Sequence, residues 1–243
     1  MKRTRLPKRL AAIVNFILPG KVVADIGTDH AYLPVYLVQA GISPKVVATE
    51  LNEKPWTRAN IWVNVNNLKD KIDVRRGEGL QVLSPGEAQV VVVAGMGGTT
   101  IKRLLAVAPL ILHRLERLIL QPVTGAGDLR LWLVDNDWRL VEEALVEEKG
   151  RLYVILVAEQ GKEATKDRLL VEMGPRLIEK SDPFLVSYLE QLKKNYQRVL
   201  NGLALSRSLE AQKKAVELTA KLAKAKELTA QNSFPACRPG RQN

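Results

Sequence analysis

Four acidic side chains stand where apolar runs give way to small or polar residues. Asp25 lies at the end of Val22-Val23-Ala24, Asp29 follows four residues on, Glu50 closes Lys45-Val46-Val47-Ala48-Thr49, and Glu78 sits between Gly77 and Gly79. Open parallel sheets bind ligands outside the carboxyl ends of their strands, near the point where strand order reverses. A nicotinamide dinucleotide site would want G-x-G-x-x-G after the first strand, to cradle a pyrophosphate on a helix N-terminus. Here only Gly27 is present, Thr28 follows it, and Asp29 stands where a glycine would help a phosphate. Carboxylates at both Asp25 and Asp29 repel pyrophosphate and suit a cationic ligand, such as the ammonium of a methionyl group. Glu50, with Leu51 beside it, can accept both hydroxyls of a ribose, and Glu78 can accept an adenine amino group. The set argues for S-adenosylmethionine over NAD, although a lone D-x-G also reads as a strand-ending turn.

Ala94-Gly95-Met96-Gly97-Gly98 is a second anomaly. Three glycines in four positions weaken any helix that follows. The loop therefore either opens main chain to a ligand or packs closely under its neighbour. His30 and Tyr32 flank the first turn. His30 is a candidate for proton transfer or for a hydrogen bond within its own loop. Tyr32 is a candidate for stacking on a base or for ordinary packing. Gln121 ends another apolar run, Leu118-Ile119-Leu120, and offers an amide at the same end of the sheet.

The elements that must position these residues alternate in period. Apolar runs at 22–26, 45–50, 72–75, 89–94 and 118–121 read as buried strands, and four consecutive valines in the fourth suit a central parallel strand. A helix is expected from Ala31 to Ala40, stopped by Gly41, another from an Asn52 cap toward Asn66, and a third over 129–136. Residues 140–147 and 151–159 alternate around Lys149-Gly150 as a hairpin. This is a doubly wound α/β series of about 160 residues. Beyond Gly161 the strand signals vanish. Leu185, Leu189, Leu192, Tyr196, Val199 and Leu203 follow a heptad seam, and Leu209, Val216, Leu222 and Ala225 mark a second helix after a break at Ser206-Arg207-Ser208. The reading divides the chain into a domain over 1–160, a helical arm over 161–230 and a disordered Pro- and Gly-containing tail over 231–243.

The chain has 243 residues, 37 Lys and Arg against 26 Asp and Glu, and a formal net charge of +11. Nucleic acid is the commonest partner of such a balance. The arm, though shorter than the domain, carries the larger share of that charge. Arg3, Arg5, Lys8 and Arg9 at the start, and Lys193, Lys194, Arg198, Lys213, Lys214, Lys221 and Lys224 on the outward faces of the arm, are the candidate phosphate contacts. A single cysteine, Cys237, excludes an intrachain disulfide scaffold and points to a reducing, cytoplasmic setting. With two histidines there is little material for a zinc site, and no metal is expected. No run approaches the roughly 18 apolar residues of a membrane span, so no membrane is expected. No obligate protein partner is evident. The basic start followed by Leu10–Leu18 could open a signal peptide. Asn15 interrupts it, Pro19-Gly20-Lys21 ends it and no A-x-A follows, so it reads as a basic arm entering a helix that packs on the first strand.

Asp25-Ile-Gly-Thr-Asp-His-Ala-Tyr-Leu-Pro34, Ala94-Gly-Met-Gly-Gly98, Ile119-Leu-Gln-Pro122 and Met173-Gly-Pro175 together resemble the bacterial tRNA adenine-22 N1-methyltransferases. The resemblance runs from about Leu6 into the helical arm. It implies a Rossmann-like class I methyltransferase sheet with a C-terminal α-helical coiled-coil arm, S-adenosyl-L-methionine as methyl donor and tRNA as substrate. Under it Asp29 is the first catalytic candidate, with His30, Tyr32 and Gln121 orienting the base. Asp25, Gly27, Thr28, Glu50, Leu51, Gly77, Glu78, Gly79, Ala94, Gly95, Met96 and Gly97 hold the donor. One departure is Val123, where family members often carry Asn after Gln-Pro, which leaves Gln121 as the amide at that point. Two other readings stand beside this one. A noncatalytic RNA-binding protein on the same fold predicts loss of the ligand carboxylates, which are present. A small-molecule methyltransferase needs neither the basic excess nor the arm.

Overall fold

The computed structural model describes residues 5–206 and 208–233. Arg3, Arg207 and the tail from 234 onward, with Cys237, lie outside the described residues. The described residues divide into two compact units, one ending at Lys166 and one beginning at Asp167.

The first unit is a seven-stranded sheet. Strands β1 (Val23–Ile26), β2 (Val46–Glu50) and β3 (Ile72–Arg76) run outward on one side. The chain then returns past β1 to β4 (Val90–Met96) and β5 (Arg117–Pro122), giving the order β3-β2-β1-β4-β5-β7-β6. The first five are parallel; β7 (Arg151–Gln160) pairs antiparallel with both β5 and β6 (Trp138–Glu148). Val23, Val46, Val47 and Val90 through Val93 are fully buried, because helices cover both faces of these central strands. The order reverses between β1 and β4, which places the crevice for a ligand at their carboxyl ends.

Five helices serve this sheet beside the short α5 (Pro109–Leu112): α1 (Lys8–Val14), α2 (Tyr32–Gln39), α3 (Glu53–Val65), α4 (Gly98–Ala106) and α6 (Ala126–Asp135). Pro34 falls in the first turn of α2, where its missing N–H costs nothing. The helix α1 was expected to pack on the first strand. Its closest sheet partner is instead β6. The backbone N–H of Lys8 donates to Glu148 at 2.7 Å, and Ile13 and Ile17 join the buried cluster that includes Val23, Ile155 and Val157. The hairpin β6–β7 extends the sheet on this side and gives the helix a longer apolar face than β1 alone. Between α6 and β6 the fully buried Arg130 donates to Glu143 at 2.6 Å, so the two charges enter the core as a pair.

The second unit is helical: α7 (Arg168–Met173), α8 (Pro175–Glu179), α9 (Leu185–Leu203) and α10 (Leu209–Ser233). Asp167 caps α7 by accepting from the N–H groups of Leu169 and Leu170. The unit starts at 167 rather than 161, and Gln231–Ser233 belong to α10 rather than to a tail. The helices α9 and α10 pack along each other. On α9 Leu185 and Leu189 are buried as the seam requires, with Tyr188 beside them. On α10 Leu209 and Val216 are exposed, and the inner face is Ala211, Leu218, Leu222, Ala225 and Leu228. Leu222 and Ala225 lie on that face as expected, whereas Ala211 and Leu218 take the places expected for Leu209 and Val216.

The observed inner face corrects one basic residue. Lys221, expected to face outward, is 8% exposed. It pairs with Glu172 at 2.9 Å and with Glu217, because it sits on the inner face of α10 next to the buried Glu172 of α7.

Candidate active site

A cleft of about 380 Å³ opens at the carboxyl ends of β1, β2 and β4. Its walls are Asp25, Gly27, Thr28, Asp29, His30, Tyr32 and Leu33 from the first turn, Glu50 from β2, Ala94, Gly95 and Met96 from β4, and Pro7, Arg9 and Leu10 from the start of the chain.

Local backbone geometry builds this wall. Gly27, Asp29 and Ala31 have φ of 74°, 52° and 54°. Three left-handed residues in five positions are uncommon for non-glycine side chains and mark a turn held by its surroundings. The backbone N–H groups of Gly27 and Thr28 both donate to the Thr49 carbonyl, at 2.9 and 3.0 Å. The φ of 74° at Gly27 is what favours glycine there; a Cβ would also stand 2.3 Å from the Met96 methyl, the movable end of a flexible side chain.

Glu50 ties two strand ends together. One carboxylate oxygen accepts the N–H of Asp29 at 3.2 Å, and the other accepts those of Leu51 at 3.0 Å and Asn52 at 3.2 Å. Asp25 is 5% exposed and accepts the Thr28 hydroxyl at 2.7 Å. Burial pushes its carboxyl up to about 6, with the Glu50 charge adding to the rise, while Thr28 and Arg9 oppose it.

Asp29 projects outward, its side chain 60% exposed. One oxygen lies 2.8 Å from His30 Nδ1 and the other 3.5 Å from an Arg58 guanidinium nitrogen on α3. The His30 ring stacks on Tyr32, centroids 5.2 Å apart and planes at 10°. Trp62 meets Tyr32 edge-on at 5.6 Å. Tyr32 is 38% exposed and presents an aromatic face at the cleft rather than filling the core.

Of the residues singled out in the sequence, Asp25, Gly27, Thr28, Asp29, His30, Tyr32, Glu50, Ala94, Gly95 and Met96 come together here. Others do not reach the wall. Gln121 is fully buried; its amide oxygen accepts from Arg9 at 3.3 Å and its nitrogen donates to the Pro122 carbonyl. Glu78 pairs with Arg103 of α4 at 3.1 Å. Leu51 is exposed, and Gly77 donates its N–H to the Glu50 carbonyl. A Cβ at Gly77 would strike Val82 and one at Gly79 would strike Leu104, so both glycines permit close packing. Gly97 lies beyond β4 as the residue capping α4, close to Thr124. A Cβ at Gly98 would lie 2.6 Å from the Gly125 carbonyl, so this last glycine serves close packing.

The sequence reading missed Arg9 as a wall residue, since it counted it among the phosphate contacts of a basic arm. Its guanidinium lies 3.7 Å from Glu148 and 5.9 Å from the Tyr153 ring centroid, and it is the cation among the cleft's lining residues. Pro7, two residues before it, stands at the N-cap of α1 and starts the helix that carries the side chain.

A reversed parallel sheet with an antiparallel seventh strand, an acidic turn after β1 and a carboxylate ending β2 define a class I methyltransferase. A sequence model of the tRNA (adenine(22)-N(1))-methyltransferase family matches residues 23–227. The Bacillus subtilis tRNA (adenine(22)-N(1))-methyltransferase is 38% identical over 199 residues, covering 79% of this chain and 84% of that protein. The crystal structure of the B. subtilis m1A22 tRNA methyltransferase superposes with a TM-score of 0.85 at 32% identity, covering 93% of this chain and all of the other. Sp1610 of Streptococcus pneumoniae, solved in complex with S-adenosyl-L-methionine, gives a TM-score of 0.80 at 34% identity over 93% of this chain and 100% of that one. The chain belongs to the tRNA (adenine(22)-N(1))-methyltransferase family.

Proposed function

We infer that this chain transfers a methyl group from S-adenosylmethionine to N1 of adenine 22 in tRNA. The observation that carries the reading is the charge pattern of the cleft: the buried carboxylates of Asp25 and Glu50 line it together with one cation, Arg9, and Asp29 stands exposed at its rim against His30 and Arg58. The donor set fits the methyl donor. Asp25 suits its ammonium, Arg9 its carboxylate, and Glu50 its ribose hydroxyls. When bound, S-adenosylmethionine supplies an electrophilic methyl group on a cationic sulfur.

Adenine N1 holds its lone pair in the ring plane. The N1–methyl bond forms as the sulfur–methyl bond breaks, and the positive charge passes to the adenine ring. No proton need leave N1 first, so catalysis rests on positioning. N1 faces the pairing partner in a duplex, and the base must be unpaired or turned out. Tyr32, backed by His30 and edged by Trp62, offers the stacking face. Asp29 stands beside that face and stabilises the cationic ring or accepts an N6 proton. Gln121 acts through Arg9, which it orients, rather than on the base. A tRNA transcript carrying adenine at position 22 should accept labelled methyl, and one with guanine there should not. Equal labelling of both would overturn the reading.

Donor binding should depend on pH through Asp25. Folding raises the pKa of this group, so the empty protein favours the protonated form below about 6. Its burial therefore weighs against stability as pH rises from the unfolded value through about 6. A donor ammonium wants the carboxylate ionised. Affinity should then strengthen with rising pH up to about 6 and level off above it, and calorimetry between pH 5 and 8 checks this. Asp25→Asn should abolish the dependence; a variant that keeps it would assign the titration elsewhere.

On the second unit, Lys194, Arg198, Lys213 and Lys214 are exposed and suit phosphates, whereas Lys193 leans on Glu190 and Lys224 on Glu227. Arg5 and Lys8 are exposed at the start of the first unit. Replacing Lys213 and Lys214 with glutamine should reduce the log–log salt slope of tRNA binding by about 0.7–0.9 per lost contact. An unchanged slope would remove these residues from the interface.

A further inference from the structure

Arg58 stands beside the aromatic face and has no role in the proposed reaction. It sits on α3 one turn before Trp62, so the two share a helix face. Its side chain is 51% exposed, and its nitrogen is 3.5 Å from Asp29. A charge-assisted bond between arginine and carboxylate closes to about 2.7–2.9 Å when it is made. This contact is longer and solvated on both sides, so its exchange for another anion costs little. The other oxygen of Asp29 is held closely by His30 at 2.8 Å, which keeps the carboxylate in place when Arg58 leaves.

An adenine stacked on Tyr32 brings its own sugar and phosphate to the rim of the cleft, beside α3. Guanidinium groups grip phosphate oxygens in pairs and prefer them to a single exposed carboxylate oxygen. We propose that Arg58 is a phosphate clamp for the turned-out nucleotide, which lets go of Asp29 as the RNA seats. The arrival of the strand then frees one oxygen of Asp29 to face the base, coupling substrate entry to the assembly of the site. This rests on the reading that adenine in tRNA is the acceptor.

The test compares wild type, Arg58→Ala and Arg58→Lys as full-length chains. Binding of unmodified tRNA is measured across salt concentrations, with methyl transfer followed as KM and kcat. In Arg58→Ala the log–log salt slope should fall by about 0.7–0.9, the share of one phosphate. The loss of activity should appear as a several-fold rise in KM for tRNA rather than in kcat. Lysine keeps the charge and should restore the slope. Affinity for S-adenosylhomocysteine, measured without RNA, should match wild type in both variants. An unchanged slope in Arg58→Ala overturns the proposal. So does a tenfold fall in kcat at unchanged tRNA affinity, which would make Arg58 a fixed partner of Asp29. If the wild-type protein itself leaves tRNA unmethylated, the parent reading fails instead.

Discussion

Asp29→Ala should lower kcat for tRNA methylation by about 10²–10³-fold, the range for removing one group aimed at charge that develops in the transition state. Donor Kd should move little. The separation follows from geometry. Asp25 is buried, whereas the Asp29 side chain is 60% exposed and lies against His30, which stacks on Tyr32. Its backbone N–H, not its side chain, serves Glu50, and the alanine variant keeps that N–H. Alanine at φ 52° carries strain, so Asp29→Asn is the necessary companion. Asparagine tolerates the left-handed region and keeps the shape, but lacks the charge. Both variants should lose turnover together. Equal losses in kcat and in donor affinity would recast Asp29 as a donor-binding residue.

Glu50→Ala should weaken donor binding by about 1.5–3 kcal/mol, the span for hydrogen bonds to a charged group. That is roughly ten- to a hundredfold in Kd. The effect has two sources. The ribose loses its acceptor, and the N–H groups of Asp29, Leu51 and Asn52 lose the carboxylate that aligns the two loops. Glu50→Gln separates them in part, because the amide retains one acceptor oxygen while its NH₂ faces a donor. It should bind more tightly than alanine and less tightly than wild type. Calorimetry with S-adenosylhomocysteine checks both, and wild-type affinity in Glu50→Ala would contradict the assignment.

The strand ends were legible because local rules fix them. A β-branched run buried on both faces is hard to misread, and the positions after each run are where a ligand must lie. Asp25, Asp29 and Glu50 were found this way. Glu78 satisfied the same rule; it stands outside the residues lining the cleft and pairs with Arg103 of α4 at 3.1 Å. Sequence spacing carries no signal for a partner on a distant helix. Gln121 shows the opposite case: its strand end was recognised, but Arg9 fills the space in front of it. Arg9 itself looked like one of several basic residues in an arm, and only the packing of α1 on β6 turns it into the cleft. In α10 a seam drawn through Leu209 and Val216 was plausible by period. Its register is set by which residues meet α9 and α7, and Leu218 with the ion-paired Lys221 won the inner face. The glycines at 97 and 98 left two readings open, and at Gly98 the contact with the Gly125 backbone favours close packing.

The central claim is the identity of the methylated atom. Unmodified tRNA incubated with the full-length chain and S-adenosylmethionine, then digested to nucleosides and to mapped fragments for mass analysis, reads it directly. One added methyl group should appear as 1-methyladenosine, in the fragment that contains position 22. Methyl on another base or position, or tRNA without added mass while the donor binds, would contradict the account.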